Sequence, residues 1–282
     1  MLSGRKTVLI TGCSSGIGRA LAEAMRGGAY EIFATARRPG TLADMAGEHL
    51  YALALDVTDS QSIAAAVDEI IRRTGRIDIL INNAGFGLIG PVAELSLDKL
   101  RLQFETNVLG QVAVSQAVIP HMVKQGGGII ANIGSVSGVT ATPYAGAYCS
   151  SKAALNSLSD TMRMELAPFG IKVISVQPGG IRSKFGETAA DSIGTPPQGG
   201  SLYSNAAEFL AKRARMSQNS PTSAEDFAAK LLEQLEKDNP PAVWRYGHGA
   251  QQLPFVKHWL PTGLLDRILS KKFGLDRLKK HT

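Results

Sequence analysis

Cysteine is scarce in this chain: its 282 residues include only Cys13 and Cys149. Two cysteines are too few for the disulfide framework of a small secreted protein, so a reducing compartment, the cytoplasm, is the expected location. The five histidines are scattered without the spacing of metal ligands. The sequence therefore predicts no metal site.

Long hydrophobic runs are also lacking. No segment reaches the roughly 18 apolar residues of a transmembrane helix, and the apolar run near residue 8 is shorter than a signal peptide requires. Hydrophobic residues make up 44% and charged residues 19% of the chain, which is typical of an ordinary globular protein. We expect a globular protein with one large core.

Excess positive charge is confined to the C-terminal end. The net charge is +6, and residues 257–282 contain seven basic and two acidic side chains. The remainder is nearly neutral, so a nucleic-acid groove is not expected. Residues 251–282 form a basic extension whose apolar residues fall near one helical face. We favour packing of this extension on its own domain or a partner subunit; the alternative is that residues 259–282 lie on an anionic membrane surface.

The order of the elements indicates the fold. Apolar segments such as KTVLIT and IDILIN alternate with amphipathic segments over the first two-thirds of the chain. This pattern predicts an α/β fold: a single doubly wound, Rossmann-like parallel sheet with helices on both faces, over residues 1–250. Residues 182–222 are rich in Gly, Pro, Ser and Ala, and they are interpreted as a substrate lid or as a disordered insert. The segment PPAVWRYG predicts a last strand at the sheet edge.

A glycine-rich turn, TGCSSGIG at residues 11–18, follows the first predicted strand and opens the first predicted helix. Glycines allow a ligand to approach the backbone closely, and a helix N-terminus favours a phosphate. The second predicted strand ends in Ala36, without the carboxylate that usually binds the ribose of NAD, and Arg37 and Arg38 follow. Because a guanidinium can hold a 2′-phosphate, NADP(H) is favoured over NAD(H).

Further motifs occur in a fixed order: Asp56-Val57, NNAG at residues 82–85, Asn107, Ser135, and Tyr148 followed four residues later by Lys152. PGG at residues 178–180 completes the series. Together with the glycine turn, these motifs resemble the short-chain dehydrogenase/reductases in their compact single-domain form. The match is firm over residues 5–183 and weaker to about residue 250.

The resemblance implies a role for each matching position. The catalytic residues would be Asn107, Ser135, Tyr148 and Lys152. The cofactor-binding residues would be Gly12, Ser14, Ser15, Gly16, Ile17, Gly18, Arg37, Arg38, Asp56, Val57, Asn83, Ala84, Gly85, Tyr148, Lys152, Pro178, Gly179, Ile181 and Ser183. Asp56 would bind the adenine, Ile181 the carboxamide, and Ser183 stands where the family often has threonine. The resemblance also implies a dimer or tetramer formed through the helices near residues 96–125 and 148–169.

The implied chemistry is hydride transfer between a nicotinamide and a carbonyl carbon, with Tyr148 exchanging the proton. The usual pKa of tyrosine is near 10. A lysine charge about 4 Å away supplies about 4 kcal/mol at an effective dielectric near 20, which is enough to lower that pKa by about three units. A spacing of four places Lys152 on the same helical face as Tyr148. Ser135 would orient the substrate oxygen, and Asn107 would hold a water that carries protons from Lys152.

The family does not fix the substrate. ATARR after the second strand and the C-terminal extension are similar to the branch that handles steroids, retinoids and acylated dihydroxyacetone phosphate. We expect an NADP(H)-dependent reductase of a bulky apolar carbonyl compound. The alternatives are a small-ketone reductase and a non-catalytic NADPH-binding sensor. An extended-type epimerase would more often have a TGxxGxxG loop and a longer substrate domain, which this chain lacks.

Overall fold

The computed structural model describes residues 4–183, 185–186, 189 and 200–278. Within these residues, seven strands form one parallel sheet: β1 (Lys6–Ile10), β2 (Tyr30–Ala36), β3 (Leu50–Ala54), β4 (Ile79–Asn82), β5 (Gly128–Ile133), β6 (Ile171–Pro178) and β7 (Val243–Tyr246). Their order is β3-β2-β1-β4-β5-β6-β7. The order reverses between β1 and β4, and the crevice beyond these two strand ends is where doubly wound folds bind ligands. The predicted α/β fold is confirmed.

Helices surround the sheet: α1 (Gly16–Met25), α2 (Ser60–Thr74), α3 (Leu97–Phe104), α4 (Gly110–Lys124), α5 (Gly146–Leu166), α6 (Ala207–Arg215), α7 (Ala224–Leu235), α8 (Gln252–Trp259) and α9 (Thr262–Lys272). Asp59 caps α2 by accepting hydrogen bonds from the backbone of Gln61 and Ser62. Gly75 ends that helix in the left-handed conformation, with φ of 73°, which glycine adopts without strain. These two residues define where α2 begins and ends.

Two apolar clusters bury the two faces of the sheet. On one face Leu21 of α1 and Phe227 of α7 pack with strand residues such as Ile81. On the other face Ile70 of α2 and Val118 of α4 pack with different strand residues. Each such side chain contributes about 1.5–3 kcal/mol when it is fully buried. Because both faces are covered, the strands read as continuous apolar runs.

The segment interpreted as a lid contains regular structure that the sequence analysis did not predict. Residues 200–222 include α6 and short 3₁₀ turns on either side of it. Residues 184, 187, 188 and 190–199 of the predicted lid lie outside the described residues. The described part therefore holds a helix beside the start of α5, with Leu210 and Ala214 of α6 in an apolar cluster with Tyr144 and Cys149.

The C-terminal extension packs on the domain with one side of α9. Leu265 and Phe273 are buried, and the Tyr144 hydroxyl donates a 3.1 Å hydrogen bond to the carbonyl of Phe273. Leu264 and Ile268 are exposed on the other side. None of the described helices is both long enough and apolar enough to cross a membrane.

Candidate active site

The glycine turn lies at the C-terminal end of β1, where it leads into α1. Gly12 has φ of +73°, and a Cβ atom there would lie 2.8 Å from the Cα of Ala84. A Cβ at Gly18 would lie 2.4 Å from the amide nitrogen of Asn83. Ser14 is exposed and Ile17 is half-buried. Gly12 combines a left-handed φ with this close contact, and a Cβ at Gly18 would also lie 2.7 Å from the carbonyl oxygen of Gly12, so both positions favour glycine.

The first turn of α1 is available to an anion. Ser15 is its N-cap and makes no side-chain capping bond, and the first turn contains no acidic residue. The unpaired N–H groups and the positive end of the helix dipole suit a phosphate. Asn83 supports this turn by donating from its amide nitrogen to the carbonyls of Thr11 and Gly12, at 2.9 and 3.0 Å. These features fit the diphosphate of a dinucleotide.

Arg37 and Asp56 lie at neighbouring strand ends on the same side of the crevice. Asp56 accepts hydrogen bonds from the backbone and the hydroxyl of Thr58, at 3.0 and 2.8 Å. Burial raises the pKa of Asp56, but the Thr58 bonds and the charge of Arg37 outweigh it and leave that pKa below its usual value. Arg37 and Arg38 are exposed. The residues present fit the adenosine of a dinucleotide, and Val57 is buried beside Asp56.

Helix α5 carries Tyr148 and Lys152 on one face, as the spacing predicted. Lys152 is 5% exposed, and its ammonium donates a 2.7 Å hydrogen bond to the carbonyl of Ile133 at the end of β5. Ser135 follows β5, is buried, and accepts a 3.0 Å hydrogen bond from the backbone of Ser137. The end of β5 and the start of α5 thus bring these three side chains together.

Burial dominates the electrostatics of the pair. It raises the pKa of Tyr148 to about 12, against a smaller lowering by the hydroxyl of Ser135. Burial also lowers the pKa of Lys152 to about 8. The direction of the Tyr148 shift is opposite to the one expected from the spacing, by which the lysine charge lowers the tyrosine pKa toward neutrality. The physical reason is that removing the phenol from water penalises its charged form more than the neighbouring groups stabilise it.

Asn107 lies in a π-helical turn, Glu105–Leu109, between α3 and α4. Its side chain accepts from the backbone N–H of Phe86 at 3.0 Å and donates to the Phe86 carbonyl at 2.9 Å and to the Ser151 hydroxyl at 3.2 Å. These partners lie outside its own helical turn, so the side chain is not occupied by the backbone of that turn. A Cβ at Gly85 would lie 3.0 Å from Asn107 Oδ1 and 3.7 Å from Lys152 Nζ. Asn107 fixes the loop beside Lys152.

The segment after β6 returns to the glycine turn. Pro178 ends β6, and a Cβ at Gly179 would lie 2.2 Å from the carbonyl oxygen of His248. Ile181 is buried, and the Cβ of Ser183 would lie 3.0 Å from one added at Gly16. The residues assigned to the two ends of a dinucleotide therefore border one crevice.

Two side chains near Tyr148 were not predicted from the sequence. The ring of Phe185 lies 5.2 Å from that of Tyr148, centroid to centroid. Arg213 of α6 is buried, and its Nε atom donates a 2.8 Å hydrogen bond to the Thr142 hydroxyl. The available signal for Arg213 was its spacing of three from Leu210, which puts a basic residue on the apolar face of a helix. Phe185 gave no signal of its own.

Comparison with known proteins agrees with this geometry. Residues 6–193 match the profile of the short chain dehydrogenases. A short-chain dehydrogenase/reductase of Pestalotiopsis microspora is 34% identical over 98% of this chain and 97% of its own length. A 3-ketodihydrosphingosine reductase of Bacteroides thetaiotaomicron is 33% identical over 93% of this chain and 96% of its own. The crystal structure of a Streptomyces avermitilis short-chain dehydrogenase superposes with a TM-score of 0.78 at 31% identity, covering 97% of each chain.

The chain belongs to the short-chain dehydrogenase family. It has the single parallel seven-stranded sheet of a Rossmann-like fold, and it is an oxidoreductase of that family.

Proposed function

We propose that this protein is an NADP(H)-dependent oxidoreductase that interconverts a carbonyl and an alcohol, and that it reduces a bulky apolar substrate. The observation that carries the proposal is the meeting of Ser135, Tyr148 and Lys152 between β5 and α5, beside the glycine turn. When bound, the cofactor supplies the hydride.

The protonation state of Tyr148 at neutral pH suits the reduction step. With its pKa raised to about 12, the Tyr148 phenol stays protonated and can donate its proton to a substrate oxygen. Ser135, within reach of that phenol, orients the same oxygen and stabilises negative charge on it. Lys152 keeps a charge below a pKa of about 8, which favours the phenolate that remains after donation. Asn107 holds the loop on the lysine side, where protons are resupplied.

The preference for NADP(H) rests on the end of β2. Ala36 offers no carboxylate to repel a 2′-phosphate. The positive charge of Arg37 lies close enough to Asp56, at the neighbouring strand end, to lower the pKa of that carboxyl. A guanidinium there can form charge-assisted hydrogen bonds with the phosphate. This arrangement supports NADP(H), with Asp56 on the adenine side.

The apolar substrate class rests on what surrounds Tyr148. Phe185 lies against its ring, and Ile89, Cys149 and Ala206 belong to the buried apolar cluster that continues to α6. These side chains favour a long or bulky hydrocarbon next to the carbonyl. The relative named for reducing 3-ketodihydrosphingosine supports a reductase of a keto compound.

The test is NADPH consumption with a small ketone, retinal, a keto-steroid and an acylated dihydroxyacetone phosphate. We expect reduction of a long apolar carbonyl, loss of turnover in Tyr148→Phe, and normal turnover in the control Tyr246→Phe, whose hydroxyl bonds Asp226 on the sheet edge. Reduction of the small ketone alone would reject the apolar substrate. Binding of NADPH without reduction of any compound would favour the non-catalytic sensor.

A further inference from the structure

Arg213 is a buried cation on the helix that covers the start of α5. It is 6% exposed and lies on the same face of α6 as Leu210 and Ala214, which are also buried. Its neighbours Lys212 and Arg215 are exposed to solvent. Long cationic side chains are rarely buried unless they are paired. The position of Arg213 therefore needs a reason that the other two cations do not.

The polar contacts of Arg213 are neutral. Its Nε atom donates to the Thr142 hydroxyl at 2.8 Å, and the Cys149 thiol lies beside the guanidinium. Among the described residues, no carboxylate forms an ion pair with it. Burying a charge without a counter-charge is costly. A hydrogen bond to a threonine does not require a guanidinium, so anchoring α6 is not a sufficient reason for this charge.

The guanidinium lies on the substrate side of the site. Thr142 is in the loop that leads into α5, and Cys149 directly follows Tyr148 in that helix. The Arg213 charge is close enough to lower the pKa of Tyr148, although burial of the phenol outweighs it. The residues assigned to the phosphates and the adenosine lie on other loops, at the ends of β1, β2 and β3. The described residues supply no counter-charge for Arg213 on this side, and an anionic group on the substrate would provide one.

We propose that Arg213 binds an anionic group, a carboxylate or a phosphate, that the substrate carries close to its reacting carbonyl. The preferred substrate is then an apolar ketone with an acidic group near the carbonyl, and the plain hydrocarbon ketone and the amino ketone of equal length should be poorer substrates. The inference rests on the proposed function and narrows its substrate.

The test uses three ketones of equal chain length: a methyl ketone, the keto acid with a carboxylate beside the same carbonyl, and the amino ketone with an ammonium there. Each ketone is assayed with the wild type, with Arg213→Met and with Arg213→Lys. Lys212→Met removes an exposed charge from the same helix and is the matched control. A charge-assisted hydrogen bond corresponds to roughly a tenfold to hundredfold effect. We expect kcat/KM of the wild type to favour the keto acid by that factor.

Arg213→Met should lose this preference through a higher KM for the keto acid, while the methyl ketone is little affected. Arg213→Lys should retain part of it, and Lys212→Met all of it. An equal loss for acid and methyl ketone in Arg213→Met would show a purely structural role and overturn the proposal. A wild-type preference for the methyl or amino ketone would overturn it too.

A binding measurement separates this inference from the proposed function. Calorimetric titration of a long-chain carboxylate, and of the alcohol of equal length, into the NADPH-loaded protein does not depend on turnover. Tighter binding of the carboxylate that disappears in Arg213→Met supports the anion site even if no ketone is reduced. Equal binding of the two ligands to the wild type would reject the anion site and leave the reductase assignment untouched.

Discussion

Lys152→Met should weaken the pH dependence of the free energy of unfolding above neutral pH. The substitution removes a residue of the proposed site, but the prediction concerns stability and not activity. In the wild type the ammonium is 5% exposed, and burial lowers its pKa from 10.5 to about 8. The unfolded chain keeps this proton to higher pH than the folded chain does. Because stability rises with pH wherever the unfolded state binds more protons, the wild type should gain stability between these two pKa values.

The magnitude follows from the shift. Each pKa unit corresponds to about 1.4 kcal/mol, so the charged lysine costs about 3 kcal/mol of folding free energy near pH 7. Near pH 9.5 about 1.4 kcal/mol of that cost remains. The wild type therefore gains about 2 kcal/mol of stability between pH 7 and pH 9.5. Methionine keeps a similar volume without a charge. The lost hydrogen bond to the Ile133 carbonyl lowers stability at both pH values and cancels in the comparison.

The assay is equilibrium urea unfolding of both proteins, without cofactor, at the two pH values. The quantity to compare is the change in the free energy of unfolding between them. We expect this change to be about 2 kcal/mol more favourable in the wild type. Lys99→Met, which removes an exposed lysine on α3, should behave like the wild type. Parallel pH dependence of the wild type and Lys152→Met would refute the claim that Lys152 is charged and desolvated in the fold.

Three further outcomes are expected. Arg37→Met should raise KM for NADPH roughly tenfold to a hundredfold and leave KM for NADH unchanged, since one charge-assisted phosphate contact is lost; equal effects on both would contradict the NADP assignment. Met164→Glu on the exposed apolar side of α5, where Met164 is 61% exposed, should convert the implied dimer or tetramer to monomers in light scattering, and an unchanged mass would argue against that face. The protein should stay in the supernatant with anionic vesicles, because Leu265 and Phe273 hold α9 on the domain; pelleting that Ile268→Ser abolishes would favour the membrane alternative.

Much of the fold could be predicted from local patterns. Buried strands such as β2, YEIFATA, are apolar along their whole length because helices cover both faces. The edge strand β7 was predicted where proline precedes VWRY, since an edge tolerates a residue without an N–H donor. The lid could not be predicted in the same way. Its composition indicated an irregular segment, but α6 forms where Leu210 and Ala214 pack against α5.

Within the site, the glycine turn and the shared face of Tyr148 and Lys152 could be predicted from the sequence, because tight turns and helical spacing are local properties. Tertiary structure decided the electrostatics: burial sets the pKa values of both side chains, and burial depends on residues far away in the chain. It also decided that Arg213 meets Thr142, 71 residues earlier. A spacing of that length carries no signal, because only the packing of α6 on the sheet domain brings such residues into contact.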